Sequence, residues 1–142
     1  MAYATETDLF QVFGRVNVRK WADVNNSKDG AEIDERIAWA LESASTELNE
    51  RLRMSVYQFP LEVEPFPQLV VLVTCWLAGL RLYESRGLID SSDAEGFGKR
   101  LEKRVDKFVY DVLNRRVVLD VAIADLPIET TDVPFVVNYD DE

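Results

Sequence analysis

The residue types that most often perform catalysis are nearly missing from this sequence. It has no histidine and a single cysteine, Cys75, so it lacks the commonest general base and any arrangement in which histidine activates a serine or a cysteine. The same shortage leaves a structural zinc site without a sufficient set of ligands. The carboxylates are numerous but scattered, and no glycine-rich phosphate-binding motif occurs. We therefore expect no catalytic residue, no metal site, no cofactor and no enzymatic activity.

One loop has part of the pattern of a calcium-binding loop. Asn25, Ser27, Asp29 and Gly30 in the run NNSKDG supply suitable oxygen atoms and a turn glycine. The twelfth position of the frame requires a bidentate glutamate, and here it is Arg36. We therefore expect a polar turn in which Asp29 or Gly30 caps the next helix.

Cationic side chains collect on one side of the last predicted helix, which we place over about residues 92–115. At helical spacing, its buried side and its basic side are separate. The cations are Lys99, Arg100, Lys103, Arg104 and Lys107. This basic face is interpreted in three ways: a solvated surface, a contact with acidic groups of the chain's own tail or of a partner protein, or a contact with nucleic-acid phosphates. We select Lys99, Lys103, Arg104 and Lys107 as candidate interface residues.

The stretch that must position these residues is Gln68–Arg86, the longest apolar segment of the chain. Between Leu69 and Leu80 only Thr74 is polar, which predicts a helix buried on most sides, the central helix of a small bundle. The run is too short for a membrane span, which needs about 18 apolar residues or more. Cys75 is therefore expected to be a buried thiol. Gly79 predicts that another backbone passes close to this helix.

Shorter elements precede the central helix. Thr5 and Asp8 have the spacing of a capping box, and Gly14 is expected to end the first helix. Residues 15–24 are a short helix or an irregular segment, and residues 31–53 form a long amphipathic helix. Trp39 lies about 120° from the apolar stripe of that helix, at 100° per residue. Either another part of the same chain covers it or a neighbouring subunit does, so it is a further candidate interface residue.

The chain changes character after Arg116. Seven of the 26 acidic residues and none of the 16 basic ones lie beyond it. Residues 117–124 and 133–139 are strand-like runs, so the arm either pairs as a β-hairpin on the bundle or extends to add a strand to another molecule. The candidate interface residues of the arm are Phe135, Val136, Val137 and Tyr139.

These elements predict a mainly α fold, a small four-helix-type bundle with an extended or β-hairpin C-terminal arm. We divide the chain into a helical domain, residues 1–116, and the acidic arm, residues 117–142. The net charge of −10 argues against binding the outside of DNA, which requires a basic surface.

Taken in order, several features resemble a family of tailed-phage proteins, the Mu-like head-completion family, which is related in fold to the head–tail connector (adaptor) proteins. The opening MAYAT…DL…FG is carried by Met1–Thr5, Asp8, Leu9, Phe13 and Gly14. An acidic turn precedes a helix that contains Ile33, Asp34, Ile37, Ala40, Leu41, Ala44, Ser45, Glu47, Leu48 and Leu52. A connector with Tyr57, Pro60 and Leu61, a proline-led helix that ends in RLYESR (Arg81–Arg86) and a charged last helix follow. The likeness covers about residues 1–115.

The resemblance implies a structural virion protein of the phage neck, a head-completion or head–tail connector subunit that forms a ring below the portal and extends the DNA channel. The implied partners are further copies of the chain in a ring, dodecameric by the resemblance, the portal protein, and a tail-completion or stopper protein. DNA would pass through without specific binding, and no membrane is expected. The implied location is the virion neck, and the host cytoplasm during assembly. Alternative hypotheses are a tail-completion protein and a small helical regulatory protein that binds one protein partner.

Overall fold

The fold is organised around one helix that contacts the four others. A computed structural model describes residues 2–62, 64–86 and 96–121, and all structural statements concern these residues. They contain five helices, here α1 to α5 in chain order, and no β-strand. The helices are α1 (Glu6–Phe13), α2 (Arg15–Ala22), α3 (Gly30–Leu52), α4 (Gln68–Ser85) and α5 (Phe97–Leu113).

The central helix is α4, as the apolar run predicts. Most of its side chains between Val70 and Leu82 are buried. Thr74, the one polar residue in the apolar run, is fully buried, and its hydroxyl donates to the carbonyl oxygen of Val70 at 2.8 Å. Cys75 is also fully buried, and burial raises the pKa of its thiol to about 12. The expectation of a core thiol is therefore confirmed.

The first two helices meet at Gly14. The Thr5 hydroxyl accepts from the backbone N–H of Asp8, whose carboxylate accepts in return from the N–H of Thr5, so the predicted capping box is confirmed. Gly14 has φ 90° and ends α1, a conformation that costs glycine little. Residues 15–24, left open between helix and irregular segment, contain α2.

The close neighbour of Gly79 is a side chain, whereas we predicted a backbone. A Cβ at this position would overlap the ring of Phe13 from the end of α1. The prediction was right about a close approach and wrong about its partner, because the sequence does not show which distant residue fills the space. The missing side chain on α4 thus lets α1 lie directly on the central helix.

The Phe13 ring belongs to an aromatic cluster built from four helices. Phe13 from α1 lies 5.4 Å from Trp21 of α2 and 5.8 Å from Phe97 of α5. Tyr83 of α4 lies 5.4 Å from Trp21 and 4.9 Å from Phe97. Most of these pairs meet edge to face, the arrangement that the ring quadrupoles favour. The cluster therefore fixes the first turn of α5 to the other helices.

The loop before α3 is a capped polar turn, as expected. The Asp29 carboxylate accepts from the N–H of Ala31 at 3.1 Å and caps α3. The Ser27 hydroxyl donates to Glu32 at 2.8 Å. Asp23 accepts from the backbone N–H groups of Ser27 and Lys28 at 3.0 and 3.1 Å. The oxygens of the loop are thus bound within the protein, and the calcium pattern reflects turn chemistry.

The segment between α3 and α4 is ordered by a tyrosine from the N-terminus. The backbone N–H of Leu61 donates to the hydroxyl oxygen of Tyr3 at 2.8 Å, and that hydroxyl donates to Asn49 on α3. The backbone N–H of Tyr3 donates to Ser45 Oγ at 2.9 Å. Tyr3 therefore joins three parts of the chain, which explains how a proline-rich connector keeps one path.

The last helix is shorter than predicted, and the described residues that follow it form no strand. We placed it over residues 92–115; α5 covers Phe97–Leu113, and residues 92–95 lie outside the described range. The mainly α fold and the small bundle are confirmed. The described residues contain five helices instead of four because residues 15–22, left open between helix and irregular segment, form α2. Residues 117–121 form no strand, so the β-hairpin is not supported there, and residues 122–142 lie outside the described range.

Candidate protein interface

The basic face lies on α5, whose opposite side joins the core. Leu101, Val105, Phe108 and Val112 are buried, as the spacing predicts. At 100° per residue, the centre of the basic face lies about 140° from the centre of this buried side. All five cations of the face are exposed. The structure therefore brings the predicted cations together on one accessible surface.

The cations of the basic face have identifiable neighbours. Arg104 lies with its guanidinium carbon 5.6 Å from the centre of the Trp76 ring of α4, a cation–π contact. Lys107 pairs with Asp111 at 2.8 Å, and Lys99 lies 3.5 Å from Glu102. Arg100 and Lys103 also interact within the chain. Since exposed ion pairs contribute about 0–1 kcal/mol each, the face remains available to a stronger acidic partner.

A polar network fixes the position of α5 beside α3 and α4. Arg51 of α3 pairs with Asp106 of α5 at 3.0 Å and with Glu47 at 2.8 Å. Arg81 of α4 binds the second oxygen of Glu47. One carboxylate on α3 therefore holds an arginine from its own helix and one from α4, while Arg51 reaches α5. This network resists rotation of the basic face about the axis of its helix.

The groove beside this network contains a carboxyl with a shifted pKa. Burial, and after it the neighbouring carboxylate of Glu102, raises the pKa of Glu84. Arg81 acts in the opposite direction and is the smaller effect. The groove has a volume of about 300 Å³ and Val105 forms part of its wall. Glu84 lines this groove, and its side chain is exposed.

Trp39 is only partly covered by the described residues. Its side chain lies on α3 with 44% of its surface exposed. The guanidinium carbon of Arg36 lies 4.2 Å from the ring centre, and Arg36 also donates to Ser85 Oγ at 2.7 Å. The chain thus supplies one cation above the ring and leaves much of it accessible. Contact with a neighbouring subunit stays a prediction.

The first residues of the arm are anchored to the bundle. The hydroxyl of Tyr57 donates to the carbonyl oxygen of Val117 at 3.3 Å and accepts from the backbone N–H of Leu119 at 3.0 Å. The side chain of Leu119 is buried in the core. The candidate arm residues Phe135, Val136, Val137 and Tyr139 lie outside the described range. The structure therefore shows where the arm begins.

Sequence reasoning missed a group of exposed apolar side chains at one end of the bundle. Tyr57 joins the chain that follows α3 to the chain that follows α5, so the C-terminal ends of these helices lie together. The exposed apolar residues there are Met54, Tyr110, Leu113 and Val118, of which Met54 and Val118 are 87% and 90% exposed. The available signal was their position outside the apolar stripes of α3 and α5. Such groups often mark contact surfaces.

The part of the chain that the structure describes has neither a cluster of metal ligands nor a membrane-spanning helix. Within it, no group of three or more His, Cys, Asp or Glu side chains is arranged to hold a metal ion. In the same residues, no helix has the combined length and apolar content needed to cross a bilayer.

A comparison with protein families gives a match over nearly the whole chain. Residues 3–137 match the family described as Bacteriophage Mu, Gp36. Searches of the curated proteins and of the solved structures found no match. The family match confirms the expected resemblance to a Mu-like phage family.

Proposed function

The chain belongs to the bacteriophage Mu Gp36 family, and we propose that it is a structural subunit of the phage neck, a head-completion or head–tail connector protein. In this proposal it forms a ring below the portal and extends the DNA channel. Its partners are further copies of itself, the portal protein, and a tail-completion or stopper protein. Its location is the neck of the virion, after assembly in the host cytoplasm.

The single observation that carries this proposal is the family match over residues 3–137, which points to phage morphogenesis. The finer role is supported by the order of elements that resembles head-completion proteins. The fold adds a rigid core and an anchored arm, since Leu119 is buried and Tyr57 binds the backbone on both sides of Val118. A rigid body with a fixed point of departure for an arm suits assembly into a repeating structure.

Charge supports the passage of DNA without attachment. The net charge is −10, and proteins that bind the DNA backbone need clustered cations whose binding releases counterions. An acidic wall facing a channel repels phosphates and leaves the DNA free to move. We propose that the chain has no enzymatic activity and that DNA is a passing molecule and not a ligand.

A nonsense mutation in the gene tests the proposal in the phage that encodes the chain. We expect DNA-filled heads and separate tails to accumulate, because the joint between them is missing. Purified chain added to such a lysate should restore joining, and heads isolated after the addition should carry the chain. Complete infectious particles formed without the chain would contradict the proposal.

The same lysate separates the alternatives. Chain recovered on isolated tails and not on heads would favour a tail-completion protein. Chain recovered on neither particle, with one other protein bound to it, would favour a small regulatory protein. Recovery on heads before tails are added favours the neck role.

A further inference from the structure

The basic face of α5 and the acidic end of the chain have opposite charges of comparable number. The face has five cations within three turns of one helix. After Val121 the chain has no lysine or arginine, and it carries the acids Asp125, Glu129, Asp132, Asp140, Asp141 and Glu142. Opposite charges across an interface steer encounter and fix register. The sequence thus contains both halves of a possible contact.

The anchored residues define where the arm leaves the described part of the bundle. The chain turns after α5, at Arg115 with φ 59°, and buries Leu119 in the core. Asp120 and Val121 then border a groove of about 510 Å³ that contains the acidic residues Glu62 and Glu64. The acidic segment therefore begins at an acidic surface, which is formed by the segment between α3 and α4. Like charges repel each other there.

The cations of the basic face lie toward the opposite end of α5 from this starting point. They belong to residues 99–107, the N-terminal two-thirds of α5, whereas the arm starts beyond the C-terminal end of the helix. An extended chain rises about 3.3 Å per residue, so residues 122–142 reach at most about 70 Å from Val121. This reach covers the basic face of the same molecule and that of an adjacent one, and in a ring the adjacent copies stand side by side.

We propose that residues 122–142 of one copy bind the basic face of α5 on a second copy. The segment supplies carboxylates to the lysines and arginines of the face. These contacts compete with the intrahelical pairs of Lys99 with Glu102 and of Lys107 with Asp111, and with the interactions that Arg100 and Lys103 already make. Arg104 remains over Trp76, which holds its guanidinium at a fixed place on the face. The inference rests on the proposed function in requiring that copies stand side by side.

Carbodiimide cross-linking of the full-length chain tests this contact, because the reagent joins lysine amines to nearby carboxylates without a spacer. Equal amounts of unlabelled and ¹⁵N-labelled chain are mixed at millimolar concentration and low salt. We expect cross-linked peptides that join Lys99, Lys103 or Lys107 to the 122–142 segment, and we expect half of them to combine the two isotopes. Cross-links from these lysines only to Glu102 and Asp111, or to the segment of the same chain alone, would overturn the proposal.

Charge reversal supplies the control. Arg104→Glu keeps every lysine of the face but should lower the yield of mixed-isotope cross-links roughly fivefold, the upper range for one exposed ion pair. Arg100→Glu serves as a second variant that does not disturb Trp76. Lys20→Glu makes the same charge change on the exposed side of α2 and should leave the yield unchanged. Equal yields from all three variants would also overturn the proposal.

The outcome is distinguishable from failure of the neck role. Cross-linking in solution measures contact between copies, whereas recovery on heads measures the place of the chain in the virion. Mixed-isotope cross-links from a chain that never binds heads would support the contact between copies and refute the neck role. A chain that binds heads but gives no such cross-links would support the neck role and refute the contact between copies.

Discussion

Replacing Gly79 by alanine tests whether the Phe13 ring really fills the gap on α4. In the interior of a helix, alanine is more favourable than glycine by about 1 kcal/mol. At this site, however, the new methyl group would overlap the ring of Phe13, and overpacking of a core costs about 1–3 kcal/mol. The sign of the effect therefore depends on whether the ring can move.

The aromatic cluster opposes that movement. To make room, Phe13 must change its edge-to-face contacts with Trp21 at 5.4 Å and with Phe97 at 5.8 Å, each worth about 0.5–1.5 kcal/mol. We place the total cost at about 2–3 kcal/mol. After subtraction of the helix propensity gain, Gly79→Ala should lower the free energy of unfolding by about 1–2 kcal/mol.

A double-mutant cycle makes the prediction sharp, because the sign should reverse once the ring is gone. In a Phe13→Ala background, Gly79→Ala should raise the free energy of unfolding by up to about 1 kcal/mol, which gives a coupling of about 2–3 kcal/mol. Phe13→Leu, which removes the outer ring atoms, is a milder background. Gly30→Ala is the control, since its methyl would lie 3.8 Å from Arg19, an ordinary contact.

Urea unfolding followed by circular dichroism and by tryptophan fluorescence measures all of these variants. The second probe reports on the three tryptophans, of which Trp21 belongs to the cluster. If Gly79→Ala were as stable as the unmutated chain, or if its effect were the same with and without the ring, Phe13 would not occupy this space and the described packing of α1 on α4 would be wrong.

Three further predictions concern the arm, the thiol and the pH dependence. Tyr57→Phe removes the hydroxyl that binds residues 117–119 and should lower the free energy of unfolding by about 1–2 kcal/mol and speed hydrogen exchange of the amide at position 119; Tyr110→Phe, on an exposed side chain, should do neither. Cys75, whose pKa is raised to about 12, should react with iodoacetamide at about pH 8 roughly a thousandfold more slowly than an unfolded thiol, and rapid reaction of the folded chain would contradict its burial. Because the pKa of Glu84 is raised in the folded state, the folded state binds more protons, and the stability that protonation provides is lost as the pH rises through the folded pKa. Glu84→Gln should therefore be more stable than the unmutated chain at about pH 7 and equal to it below about pH 4, in urea midpoints measured at both values; an equal difference at both pH values would refute the shift.

The helices that the sequence predicts well are those whose evidence is local. The apolar stripe of α3 and the buried side of α5 repeat at the helical period, so each helix shows its own inward face without reference to the others. The capping box at Thr5 and the cap at Asp29 are likewise formed by residues within three positions of one another. Local chemistry of this kind specifies where elements begin and which side is buried.

The identity of distant partners is what the sequence did not show. Gly79 indicated a close neighbour, but that neighbour is the ring of Phe13, 66 positions away in the chain. Nothing in the local sequence distinguishes Tyr3 or Tyr57. Tyr3 joins three segments of the chain, and the hydroxyl of Tyr57 joins the segment after α3 to the segment after α5. Such pairings depend on the packed arrangement of all the helices, which periodicity alone does not determine.

In the candidate interface, too, the features with local evidence were predicted, and those that depend on distant contacts were not. The five cations of the basic face were predicted as a group because they share one side of a single helix. Their orientation depends on contacts that span the fold: the polar network through Glu47 and Arg51, and the aromatic cluster that holds Phe97. A change in these contacts would rotate or release α5 without altering any cation.

This dependence has a consequence for any interface built on α5. A face that binds carboxylates through exposed ion pairs gains little from each pair, so its usefulness rests on presenting several cations at a constant spacing. The aromatic cluster fixes the N-terminal end of the helix, and the Tyr57 hydroxyl fixes the chain after its C-terminal end. With both ends held, the backbone of α5 is already ordered in folding, so on binding only the cationic side chains and the partner lose further freedom. Loosening either end, by Phe97→Ala or by Tyr57→Phe, should therefore weaken the binding of an acidic partner, although the charge of the face is unchanged.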